Sequence, residues 1–152
     1  MTEKKLKKLG EVLAFARVGT DTFNKGKEGL VKAWGEEKVN ELIKSTESHT
    51  ESIEKVINGI DGSETGLIKA EATGEKLSTM RDLYIKDEWD DPIEMFEWLG
   101  FFQGAAIVHW SLIEGFGEKE EDNQIKELAN EIKPFHQKLF EEVDNSIKES
   151  IK

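Results

Sequence analysis

Residues 39–60 read VNELIKSTESHTESIEKVINGI, and their pattern decides the fold class. Val39, Leu42, Thr46, His49, Ile53, Val56 and Ile60 recur at steps of three and four. A residue three or four places on returns to the same side of an α-helix, so this is one helical face. The stripe ends in Gly59-Ile60-Asp61-Gly62-Ser63, a cluster of turn formers. Thr46 and His49 are polar members of an otherwise apolar face, so this helix carries hydrogen-bonding groups toward its core.

The same spacing extends to both sides. Upstream, Leu6, Leu9, Leu13, Ala16, Thr20 and Phe23 form a stripe expected to continue through Leu30 to Trp34, where Gly35 breaks it. Downstream, residues 64–90 hold a weaker helical pattern in Leu67, Ala70, Leu77, Met80 and Tyr84. Asp91 as N-cap and Pro92 in the first turn open a third major helix, which is apolar nearly all round and is expected to reach about Gly115. A charged turn is expected over 115–123, followed by a last helix bearing Ile125, Leu128, Ile132, Phe135, Leu139, Val143 and Ile147. No run alternates with a period of two, so no strand is assigned. The reading is an all-α chain forming one domain over residues 1–152. Two helical hairpins joined by a crossover of roughly 30 residues is the layout of a ferritin-like four-helix bundle. The crossover is expected to be partly helical, because bare loops of that length are uncommon.

Composition narrows the function classes. A net charge of −11 repels nucleic acid, and the one lysine cluster, Lys4, Lys5, Lys7 and Lys8, reads as the solvated start of a helix. The absence of cysteine excludes disulfides, thiolate metal sites and cysteine nucleophiles. The longest apolar stretch, Trp98 to Ile113, contains Gln103 and His109 and is short for a membrane span. The N-terminus lacks the apolar segment of a signal peptide, and a cytoplasmic location is expected. No phosphate-binding glycine loop, nucleophile elbow or paired-histidine protease motif is present, and the acidic run from Glu118 to Asp122 lacks the spaced ligands of a calcium loop.

A weak internal repeat links the halves. Residues 49–60 align with 136–147, matching His49 with His136, Glu54 with Glu141, Val56 with Val143, Asn58 with Asn145 and Ile60 with Ile147. Glu11-Val-Leu13-Ala-Phe15 aligns with Glu97-Trp-Leu99-Gly-Phe101. In ferritin-like metal proteins one helix of each hairpin gives a Glu and the other gives a Glu-x-x-His pair. The repeat therefore nominates Glu97, His49, His136 and Glu11 as metal ligands. The partner carboxylates are missing: Thr46 stands three before His49, and Lys133 three before His136. Two Glu and two His would hold a single first-row metal rather than a di-iron pair.

Each candidate also has a plain structural role. His49 on its stripe reads as a hydrogen-bonded core histidine, His136 flanks its stripe within reach of water, and Glu11 lies at the edge of an apolar face. Glu97 is expected to be buried, because its row reads Ile93, Glu97, Phe101, Gly104, Val108. A buried lone carboxylate needs a partner, a metal or a raised pKa. Gly100 and Gly104 in the same helix permit close helix approach, and a helix apolar all round must be covered on every side. Either the crossover segment or a second subunit covers it, and a homodimer through this helix is expected, with Trp98, Phe102 and Trp110 as anchors.

The stretch Ser45-Thr46-Glu47-Ser48-His49, followed by Ile53-Glu54-Lys55-Val56, resembles the second helix of a small family of ferritin-like bacterial stress proteins. Gly66-Leu67-Ile68-Lys69 and the Glu97-bearing helix are also similar to that family. The resemblance implies a ferritin-like bundle, often dimeric, with a metal site at its middle. It departs from the family at Ser45, where the family has an acidic residue four before the histidine. Two readings follow: a bundle holding iron or another first-row transition metal at a reduced Glu/His site, or a non-catalytic homodimeric helical module without cofactor.

Overall fold

The computed structural model describes residues 2–151, and these form six α-helices and no strand. They are α1 (Thr2–Lys25), α2 (Lys27–Trp34), α3 (Glu36–Asn58), α4 (Glu64–Ile85), α5 (Pro92–Glu120) and α6 (Asn123–Glu149). α1 packs on α3 and α5, and α6 packs on α3 and α5, so four long helices close a ring of contacts. α4 lies outside that ring, mainly along α1, and touches α5 at one end.

Contacts at the two ends of the ring fix the directions. Lys5 bonds Glu120 at one end, at 2.8 Å. At the other end the Trp34 indole donates to Ser146, at 2.8 Å, and its ring meets Phe96. α1 therefore rises, α3 descends, α4 returns the full length, α5 descends again and α6 rises. The crossover expected from the sequence is one continuous helix, Glu64–Ile85, within the 64–90 span of its weak stripe. Gly10 explains how it lies so close to α1: a Cβ built there would stand 2.3 Å from the Gly66 carbonyl oxygen, so only glycine lets the two backbones meet.

Two boundaries differ from expectation. The first helix breaks at Gly26 rather than running unbroken to Trp34, where the Met95 side chain of α5 occupies the space a Cβ would need. α5 runs through Gly115 and Gly117 to Glu120, because packing along α6 outweighs the low helix propensity of glycine. Its start is as read: the Asp91 carboxylate accepts from the Ile93 amide at 2.9 Å, with Pro92 in the first turn.

The core is in two apolar halves. One is built around Leu9, Leu13, Ile53, Ile57, Trp110 and Ile132, the other around Phe15, Phe23, Met95, Leu99, Phe102 and Leu139. Each such side chain contributes about 1.5–3 kcal/mol by leaving water. Among the described residues no helix is long and apolar enough to cross a membrane.

Candidate functional site

Between the two apolar halves lies a polar layer. Thr46 and His49 enter it from α3, Gln103 from α5 and His136 from α6, all buried. The order along each helix dictates this. On α3 the layer falls between Leu42 of one half and Ile53 of the other; on α6, His136 falls between Ile132 and Leu139. His136 is sealed rather than reaching water as its place beside the stripe suggested.

His136 donates from Nδ1 to the Gln103 amide oxygen. That bond sets the tautomer, with the proton on Nδ1 and a lone pair left on Nε2. The His49 and His136 rings both meet Phe135 edge-on, at centroid distances of 4.8 and 5.3 Å. Burial lowers the His49 pKa to about 4. Burial, and then the proximity of His49, lowers that of His136 to about 3. Both imidazoles are therefore neutral. Beside them the Thr20 and Thr46 hydroxyls meet at 2.6 Å, and Thr46 also donates to the Ile43 carbonyl, at 3.0 Å.

The carboxylates do not join this layer. Glu11 is buried on α1, but it is held by Lys8 at 2.8 Å. Glu97 is exposed, contrary to the expectation of an apolar row, and its nearest polar partner is the Tyr84 hydroxyl at 3.5 Å. No member of the row is buried: Phe101 is 63% and Val108 68% exposed, and Ile93 and Gly104 are half-buried. Among the described residues no three His, Asp or Glu side chains gather closely enough to hold an ion. The Glu/His ligand set thus does not fit a first-row metal as arranged, since two neutral imidazoles and an amide already bonded to one of them stand where four ligands were expected. His109 bonds the Ala105 carbonyl of its own helix, at 2.7 Å.

The expected dimer anchors are also placed differently. Trp98, Phe102 and Trp110 are 4%, 3% and 0% exposed within the single chain, so its own helices already cover them. The apolar residues of α5 left in water are Phe101, Val108 and Leu112. Their neighbours Gly100 and Gly104 are open: a Cβ at Gly100 would meet nothing within 4 Å, and at Gly104 only the Phe140 ring at 3.9 Å.

One buried charge was not visible in the sequence. Arg81 on α4 is 1% exposed and bonds Asp21 at 2.8 Å, Thr22 at 3.0 Å and Asp82 at 3.0 Å. Its guanidinium lies 5.1 Å over the Trp89 ring, closing α4 and the loop after it onto α1. A single arginine in a helix with little stripe gives no signal of this role.

No family model, curated protein or solved structure matches the chain.

Proposed function

We propose that this chain is a non-catalytic helical module of ferritin-like topology that pairs with a second copy of itself through the bare face of α5. The observation that carries the reading is an asymmetry between the repeated halves. In the register that aligns Glu11 with Glu97, the α1 residues Ala14, Val18 and Thr22 correspond to Gly100, Gly104 and Val108 of α5. The α1 set is buried: Gly74 of α4 comes against Ala14 and Val18, and Arg81 of α4 bonds Thr22. The α5 set has no such cover. It has the small residues that allow a helix to approach closely, with Phe101, Leu112 and Phe140 as apolar flanks. A two-fold pair of α5 helices crossing near Gly104 would use the same surface on both copies.

The up-down-down-up path with a full-length crossover supports the ferritin-like description. In this reading the polar layer fixes helix register, a role for which buried polar groups are known. Light scattering tests the pairing. The unaltered chain is expected to be a dimer and Val108→Glu a folded monomer, since Val108 supports nothing in its own chain. A monomeric unaltered chain at high concentration sinks the proposal. Iron or another first-row metal at stoichiometric level in untagged protein would return the metal reading to first place.

A further inference from the structure

A second feature lies on the other side of the Phe101 ridge. α1, α4 and α5 border an open cavity of about 480 Å³. Its floor is aromatic and buried, formed by Phe15, Trp98 and Phe102, while Met80, Leu83 and Phe101 form exposed walls. The volume lies in the range of small-molecule sites rather than packing defects. The lining is almost wholly carbon, and its polar groups are the Tyr84 hydroxyl and the Trp98 indole N–H, which is buried without a hydrogen-bond partner.

What surrounds that hydroxyl has one sign. Tyr84 reaches Glu97, Glu94 lies near both, and Glu88 and Asp91 lie near Glu94. Among the described residues none of the four carboxylates is in an ion pair, although ion pairs are frequent elsewhere on this surface. The Glu94 pKa is raised by desolvation and then by the charges of Glu88, Glu97 and Asp91. That of Tyr84 is raised by desolvation and then by Glu97 and Glu94.

We infer that the cavity is a binding site for a lipophilic cation, whose apolar body fills the aromatic floor while its positive centre sits at the mouth beside Tyr84, Glu94 and Glu97. An aromatic floor favours cations as well as apolar bodies, because ring faces carry negative electrostatic potential. A fatty acid or other lipophilic anion would have its head group held against the Glu94 and Glu97 carboxylates. An uncharged ligand would leave their mutual repulsion unrelieved.

Two probes of nearly one shape and opposite charge isolate this point. Tetraphenylphosphonium and tetraphenylborate are titrated against the full chain at low salt, by calorimetry and by quenching of tryptophan fluorescence. The cation is expected to bind with one site per chain, at least roughly tenfold tighter than the anion. The surface double variant Glu94→Gln/Glu97→Gln should keep the fold by circular dichroism and lose roughly five- to thirtyfold in cation affinity, as two solvent-facing charge contacts are removed. Ala105→Trp, which fills the cavity, should abolish binding. Equal or tighter binding of the borate, no binding of the phosphonium, or affinity unchanged in the double variant would each overturn the inference. Val108→Glu should bind the cation normally, which separates this site from the proposed pairing face.

Discussion

His136 and Gln103 share a hydrogen bond in the middle of the α5–α6 seam, and both side chains are closed off from water. Each is the other's side-chain hydrogen-bond partner. Gln103→Leu removes the acceptor and strands the imidazole N–H. The expected cost is about 1–3 kcal/mol in urea unfolding, the range for an unsatisfied buried donor. Gln103→Leu combined with His136→Phe should recover part of that loss, because no polar group is then left unpaired. A double variant less stable than the sum of the two singles would contradict this account.

The two buried histidines also set a pH dependence with a definite sign. In the folded chain His49 and His136 take up protons only near pH 4 and pH 3, whereas unfolded histidine does so near 6.5. Above about pH 7 neither state is protonated and nothing is lost. As pH falls below 6.5 the unfolded state gains protons that the folded state refuses. Stability should drop by about 1.4 kcal/mol per pH unit for each histidine, levelling off below the folded pKa values. Urea midpoints at pH 7.5 and 5 measure this, and replacing both histidines with Gln should flatten the profile. A midpoint that does not move over that interval would exclude neutral buried imidazoles.

Arg81 is predicted to be the residue that keeps α4 in place. Arg81→Ala opens a cavity against α1 and frees the loop that carries Trp89. The expected destabilisation is about 2–4 kcal/mol. Asp21→Asn should cost about 1 kcal/mol or less, because Asp21 is half exposed, the amide oxygen can still accept from Arg81, and Asp82 remains paired with the guanidinium. Thermal melts of the two variants give the comparison, and the ordering would be wrong if Asp21→Asn proved the more damaging.

Two glycines at helix positions should respond in opposite directions to alanine. Gly10→Ala pushes a methyl into the Gly66 carbonyl and should cost about 1–3 kcal/mol or more. Gly100→Ala meets nothing and should stabilise the isolated chain by about 0.5–1 kcal/mol through helix propensity. If α5 pairs with a second copy, Gly100→Ala should at the same time weaken that pairing. Chemical unfolding together with sedimentation reads both effects in one sample.

The fold was most legible where a helix has one wet side. α3 and α6 carry well-separated stripes, and the stripe positions Thr46 and His49 are buried as read. α5 is apolar all round, so nothing in its sequence says which row turns inward. That is why the pattern points Glu97 into the core and Trp98 and Trp110 outward, whereas Glu97 is exposed and the two tryptophans are buried within the chain. Gln103 stood out as a lone amide in an apolar run, but its partnership with His136 depends on how α5 and α6 align, which spacing within one helix cannot supply. Arg81 was invisible for a related reason: α4 has almost no stripe, and its position is set by Gly10, Gly66 and the guanidinium contacts.

A tandem of two hairpins needs a connector only once. α4 is that connector, and by running along α1 it clothes one flank of the molecule and leaves the twin flank undressed. Any chain assembled this way inherits an uncovered side from its connectivity alone, and only added charge, one more helix or a partner would close it.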